Sequence, residues 1–198
     1  MKVRDGTDAD GGQVAGLVHH ISGEFAGCDL FDRALRDDLR APGSTFAALR
    51  GGFWVAEDDR AGGLAGCVAL AATDRPDTFE LRHLYVLPQC RGTGVAVRLL
   101  ALAVRHAREA GAHRIELWAD TRLRSGQRFW ERHGFVRLPG TRPAGNGEEV
   151  RYALMLDRAC PPGSALSPSR SWRNPSAPAA PLRCRASHGP RRRPGPLH

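Results

Sequence analysis

The chain has 198 residues and a formal net charge of +8, but that charge is local. Residues 158–198 hold eight of the 29 Lys+Arg and none of the 21 Asp+Glu, which leaves 21 basic against 21 acidic groups in residues 1–157. A uniformly basic body of the kind that coats nucleic acid is thereby excluded, and the excess belongs to the tail. The tail also holds nine of the 14 prolines and almost no apolar period. Such a segment buries too little surface to offset its ordering entropy, so residues 158–198 read as a disordered Arg/Pro-rich tail. Residues 1–157 have the length of one domain, enough to bury roughly 70% of their unfolded surface. The five cysteines are scattered, with no C-x-x-C pair or His/Cys cluster, so neither a disulfide framework nor a metal site is expected. No apolar run suits a signal peptide or a membrane span, and a cytoplasmic protein without membrane contact is the expectation.

Lys2–Arg4 suits a short strand, and Thr7 or Asp8 suits the cap of a helix carrying Val14, Leu17, Val18 and Ile21. A second helix fits Leu30, Phe31, Ala34, Leu35 and Leu39 and is expected to stop near Pro42-Gly43. Strands follow at Phe53–Glu57, Leu64–Ala71 and Phe79–Val86, separated by the turns Asp58–Gly63 and Asp74–Asp77. Ala96–Ala110 reads as a helix stopped by Gly111, Ile115–Ala119 as a strand, and Ser125–Arg132 as a helix stopped by Gly134. Phe135–Leu138 and Val150–Leu156 complete the set, with a Gly/Pro/Asn loop expected between them. The order β-α-α-β-β-β-α-β-α-β-β places the chain in the α/β (α+β) range with a mixed sheet.

The junction Tyr85-Val86-Leu87-Pro88-Gln89-Cys90-Arg91-Gly92-Thr93-Gly94-Val95-Ala96 is the most informative stretch. A strand ends, an Arg/Gly turn follows, and a helix begins at once. Successive backbone N–H groups at a helix N-terminus form a socket for phosphate oxygens. The same glycines also suit a plain strand-to-helix turn. There is no G-x-x-x-x-G-K-[ST] P-loop, and the third glycine of a dinucleotide fingerprint is missing.

Arg91-Gly92-Thr93-Gly94-Val95-Ala96 resembles the R-x-x-G-x-A pattern of the GNAT superfamily of acyl-CoA N-acyltransferases. Phe129-Trp130-Glu131-Arg132-His133-Gly134-Phe135 is similar to that family's F-Y-x-x-x-G-F segment. The resemblance covers roughly residues 1–157. It implies a mostly antiparallel sheet with helices on both faces. It further implies an acetyl-CoA-dependent transfer to a primary amine, by direct attack in a ternary complex and without a metal. Coenzyme A would lie with its pyrophosphate on the backbone of Arg91, Gly92, Thr93, Gly94, Val95 and Ala96. Its pantetheine arm would pair with the strand end Leu84, Tyr85 and Val86, and the Val86 N–H would hold the oxyanion.

An amine of pKa near 10.4 must first lose a proton. Glu80 stands where many family members place a glutamate base, and it equally suits a strand carboxylate paired with Arg82. His83 is a second candidate, expected by strand alternation on the face opposite Glu80. Trp130 replaces a tyrosine thought in relatives to protonate the leaving thiolate. Indole is no acid, so either another group acts, or a thiolate of pKa about 8.5 leaves unaided and Trp130 walls the acetyl arm. That departure keeps open a catalytically weak CoA-binding sensor or partner module. Leu123 and Gly126 stand where relatives often have Asn and Ala. Tyr152 suits either the cleft or the core. Glu24, Asp29, Asp32, Asp37 and Asp38 border the acceptor region of relatives; they would favour a cationic amine, although a solvated helix face explains them as well. The tail, ending Arg191-Arg192-Arg193, has one aromatic, Trp172, and no stacking pattern, so nucleic acid is not an expected partner. Pairing into a homodimer through the C-terminal strands, common in relatives, is left open.

Overall fold

A computed structural model of the chain describes residues 1–25, 37–59, 62–145 and 147–156. All of these fall in the unit Met1–Ala159, while Cys160–His198 lies outside them, as does the boundary expected at 157/158. Seven strands form one sheet: β1 (Lys2–Asp5), β2 (Gly52–Glu57), β3 (Leu64–Ala72), β4 (Thr78–Val86), β5 (Arg114–Asp120), β6 (Val136–Ala144) and β7 (Gly147–Met155). Their spatial order is β1-β2-β3-β4-β5-β7-β6. Every pair is antiparallel except β4–β5. The helices are α1 (Gly11–Ser22), α2 (Pro42–Ala48), α3 (Val95–Glu109) and α4 (Arg124–Arg132).

The alternation of β2 explains the layers. Phe53 and Val55 point to one face and Trp54 and Ala56 to the other. On the first face α1 lays Val14, Leu17, Val18 and Ile21, joined by Phe46 of α2. On the second, α3 lays Val95, Leu99, Leu100, Ala103 and Ala107, and Trp130 of α4 joins the same cluster. Covered on both sides, β3 is buried along all but its last residue, which is why it reads as a continuous apolar run.

The structure refines the local expectations at two points, Pro42 and β6. The expected helix over Leu30–Leu39 lies mostly outside the described residues. The helical backbone at Asp37 and Asp38 does stop just before Pro42, as expected, and Pro42 itself begins α2, because its missing N–H costs nothing at a first helical position. The Asp8 carboxylate then accepts from Ser44 N (2.7 Å) and Ser44 Oγ (2.6 Å), tying that helix start to the segment after β1. Finally, the stretch expected as a loop between the last two strands is mostly strand: β6 runs through Pro139, Gly140 and Pro143 to Ala144. β6 is the sheet edge, where a proline's missing donor breaks no ladder, and its register with β7 shifts between Arg137 and Thr141.

Candidate active site

The parallel pairing of β4 and β5 lasts only three residues, Thr78↔Arg114, Phe79↔Ile115 and Glu80↔Glu116. Beyond Glu80 the ladder ends, while β4 continues to Val86 and β5 to Asp120. The opening between them holds a cleft of about 410 Å3. Leu81–Tyr85 line one wall and Leu117–Asp120 the other; Leu123, Gly126 and Trp130 of the α4 region and Arg142 and Glu149 of the β6–β7 hairpin close it. A cleft of this size suits an extended small ligand.

The Arg/Gly turn follows the end of β4 and leads into α3. Gly92 and Gly94 adopt φ of +76° and +84°, in the left-handed region that favours glycine. Nothing lies within 4 Å of where a Cβ would stand on either, so the space over the turn is open. Arg98 N–H donates to the Gly94 carbonyl, which closes the first turn of α3. The N–H groups of Gly94, Val95, Ala96 and Val97 therefore precede the helical ladder. Val95 is buried and anchors the helix start, and the Thr93 hydroxyl donates to the Cys90 carbonyl at 2.7 Å. The Arg91 guanidinium reaches back, donating to both carboxylate oxygens of Glu24 (2.7 and 2.8 Å) and to the Val86 carbonyl (3.2 Å). Leu87 N–H is spent on Ala65 O at 2.9 Å. Alternation along an antiparallel ladder then turns the polar groups of Val86 to the opposite, free edge.

The strand floor holds the main correction. Cys67 pairs with Tyr85 and Ala69 with Arg82, so His83 and Leu84 together oppose Val68. This is a β-bulge, with His83 at φ +55°. The extra residue reverses the alternation. Phe79 and Leu81 pack toward α3, and so do Leu84 and Val86. Glu80, Arg82, His83 and Tyr85 are left sharing the other face. His83 is therefore on the same face as Glu80, not the opposite one. Its ring meets Phe46 edge-on, with centroids 5.9 Å apart, and stacks on Tyr85 at 6.4 Å. The Cys67 thiol donates to the His83 carbonyl at 3.2 Å; burial pushes that thiol up to about 12, so it keeps its proton and holds the bulge.

Four charged or titratable groups meet on this floor. Glu80 Oε2 accepts from Arg82 Nε at 2.6 Å, the pairing the sequence offered as an alternative to catalysis. Arg82 Nη1 lies 3.5 Å from Asp38 Oδ2, and His83 Nε2 lies 2.7 Å from the same oxygen. Asp38 was one of five acidic residues in the sequence pattern, with nothing to single it out. Of the others, Glu24 binds Arg91, Asp37 lies 3.6 Å from Arg40, and Asp29 and Asp32 lie outside the described residues.

Trp130 forms a cleft wall, held edge-on by Phe129 (5.1 Å) and Phe135 (5.3 Å). Tyr152 is fully buried in the core, its hydroxyl donating to Glu131 Oε1 at 3.1 Å, and is no part of the cleft lining. Glu116, the partner of Glu80 in register, escaped the sequence reading. It is buried among arginines, in contact with Arg75 and 2.8 Å from Arg114. Asp120, at the far end of β5, is held below the usual carboxylate range by the Arg122 guanidinium. Among the described residues, no group of three or more His, Cys, Asp or Glu could hold a metal ion, and no helix is long and apolar enough to cross a membrane.

Residues 19–135, more than half of the chain, match the model of the acetyltransferase (GNAT) family. The chain belongs to that family. It is 29% identical over 119 residues to an uncharacterized N-acetyltransferase of Schizosaccharomyces pombe, covering 60% of this chain and 72% of that one. It is 32% identical over 86 residues to the uncharacterized N-acetyltransferase YjgM of Escherichia coli, covering 43% of this chain and 52% of that one. A shorter match, 41% over 56 residues, is to the aminoalkylphosphonate N-acetyltransferase of Salmonella typhimurium; it covers 28% of this chain and 36% of that one. The chain thus spans about half the length, or less, of these two bacterial relatives. The fold is shared with a GNAT-family acetyltransferase of Staphylococcus aureus, at TM-score 0.68, 19% identity and coverage of 79% and 99%. It is shared also with yncA of Salmonella typhimurium, solved with its cofactor acetyl-CoA, at TM-score 0.62, 20% identity and coverage of 84% and 99%. The mixed, mostly antiparallel sheet with helices on both faces is the topology of this family.

Proposed function

We propose that the protein transfers an acetyl group from acetyl-CoA to a primary amine, both bound together in the cleft between β4 and β5. The observation that carries this reading is the junction of an open strand edge with an open phosphate socket. Extended pantetheine amides complement the free edge of β4 beyond Glu80, where the Val86 N–H would be the donor to a thioester oxygen. The pyrophosphate complements the N–H groups that begin α3, with Gly92 and Gly94 leaving its approach clear. The family match and the acetyl-CoA held by yncA support the same ligand. The N-acetyltransferase names of the relatives support nitrogen as the acceptor atom.

The reacting nitrogen must reach the carbonyl uncharged. Glu80 and His83 both line the cleft and are the candidates to take its proton, directly or through one water. Attack forms the C–N bond, the C–S bond breaks, and the electron pair leaves on sulfur. A thiolate of reference pKa about 8.5 is a fair leaving group, so the absence of a tyrosine at Trp130 does not halt the reaction. Trp130 then serves as an apolar wall beside the acetyl group.

Thiol release from acetyl-CoA tests this reading. The acceptors are a lysine peptide, a free N-terminal peptide, a linear diamine and an aminoalkylphosphonate. The expected result is turnover of at least one amine well above thioester hydrolysis without amine. A chain that binds acetyl-CoA and turns over none of them would favour the binding-module alternative instead.

A further inference from the structure

We propose that His83, held by Asp38 on the β4 bulge, is the group that takes the proton from the acceptor amine, with Glu80 acting through Arg82 to position that pair. The proposal rests on the acetyl-transfer reading above. It begins from the bulge. A regular strand would have carried His83 to the α3 side of the sheet; the extra residue turns its ring into the cleft lining beside Glu80.

The hydrogen bonding fixes the tautomer. An ionised carboxylate only accepts, so the 2.7 Å contact to Asp38 requires the proton on Nε2. The Nδ1 lone pair is then the ring's acceptor, and among the described residues it has no polar partner. His83 and Asp38 side chains are only 12% and 15% exposed, so water competes weakly for their bond. By contrast, Glu80 is engaged by Arg82 through Oε2.

Charge favours the same assignment. Glu80, Arg82 and Asp38 together carry one net negative charge. With a neutral His83 the cluster stays at that value; a proton on the ring brings it to zero. Imidazole is also the stronger base by type, with a reference pKa about 6.5 against about 4.3 for a glutamate carboxylate. The ring also meets the Tyr85 ring on β4 and the apolar Phe46 ring of α2, while the Cys67 thiol on β3 bonds the His83 backbone carbonyl.

The proton balance is simple. Nδ1 removes one proton from the ammonium form of the acceptor. The neutral nitrogen attacks the thioester carbon and the C–S bond breaks toward sulfur. The second nitrogen proton goes to the thiolate, giving the free thiol, and the imidazolium returns the first to solvent.

The test uses the full-length chain, the amine panel above and three variants: H83Q, D38N and E80Q. Calorimetry with acetyl-CoA first establishes that each variant binds it within about twofold of wild type. The pH profile of kcat/KM is then read. Wild type is expected to show a limb that rises with pH and levels off. In H83Q the limb disappears and kcat/KM falls by about 100-fold or more. D38N lowers kcat/KM by about tenfold, because a neutral amide can donate as well as accept and no longer holds the ring to the Nε2-protonated tautomer. E80Q keeps the limb. The assignment is overturned if H83Q keeps the limb and E80Q loses it. Nitrogen-15 spectra of the wild-type histidine rings give a readout independent of any acceptor: His83 protonated on Nε2 supports the assignment, and the opposite tautomer overturns it. Failure of wild type to bind acetyl-CoA would instead overturn the acetyl-transfer reading, and is told apart because it is seen before any variant is made.

Discussion

Asp10 shows how one side chain ties the start of the chain to the sheet. It is 3% exposed, and its two oxygens accept from Arg4 Nη1 (2.9 Å) and Nη2 (2.8 Å), while Thr7 N–H adds a third bond at 2.7 Å. Arg4 also reaches Glu57 at the end of β2. The Arg4 guanidinium, working against the cost of burial, holds the Asp10 carboxyl at about 2 instead of its ordinary 3.8. A depressed acid stabilises the fold above its unfolded pKa and stops doing so as pH falls through the folded value. At about 1.4 kcal/mol per pH unit the contribution is on the order of 2 kcal/mol at neutral pH, counted once for the pair. Asp10→Asn is expected to lower the thermal midpoint at pH 6. Between about pH 4 and pH 2 the variant should lose stability less steeply than wild type. Circular dichroism melts across that range check it, and parallel curves for the two proteins would contradict the assignment.

At the scale of elements, α4 is positioned by Trp130, which is both core residue and cleft wall. Only 8% exposed, its ring packs against Phe129 and Phe135. Trp130→Ala is expected to cost about 3–5 kcal/mol in a urea unfolding titration, because it leaves a ring-sized cavity in the core. A cost below about 1 kcal/mol would mean that α4 is docked by other contacts. The elements also show what sequence can and cannot reveal. The Gly92–Gly94 turn was legible because left-handed backbone is a property of single residues. Six of the strands and the start of β6 were legible, whereas the continuation of β6 was not, since Pro139, Gly140 and Pro143 read as loop and only an edge position explains them as strand. The bulge had left a trace: the core-facing residues run Phe79, Leu81, then Leu84, Val86, a slip from odd to even numbers. That parity change is the sequence mark of one extra residue, and reading through it put His83 on the wrong face. Asp38 left no comparable mark. Its importance comes from being brought to His83 across 45 residues by the folding of the chain around α2.

For the whole molecule, the division of labour follows the sheet. Its covered centre, β2 to β4, supplies rigidity through cores on both faces. Its interruption, where β4 and β5 part after Glu80, supplies the cleft. The net charge of the chain resides in residues 158–198, and residues 1–157 balance 21 basic against 21 acidic groups. The central claim is that this parting, together with the Gly92–Gly94 turn that follows β4, is an acetyl-CoA site. Isothermal calorimetry of the full-length chain with acetyl-CoA, beside a Gly94→Val variant, tests it most directly. A branched side chain at φ +84° is strained and fills the space over the helix-start N–H groups. The account predicts micromolar binding by wild type, weakened at least about tenfold in the variant. Folded wild-type protein that gives no binding heat at millimolar acetyl-CoA would contradict it.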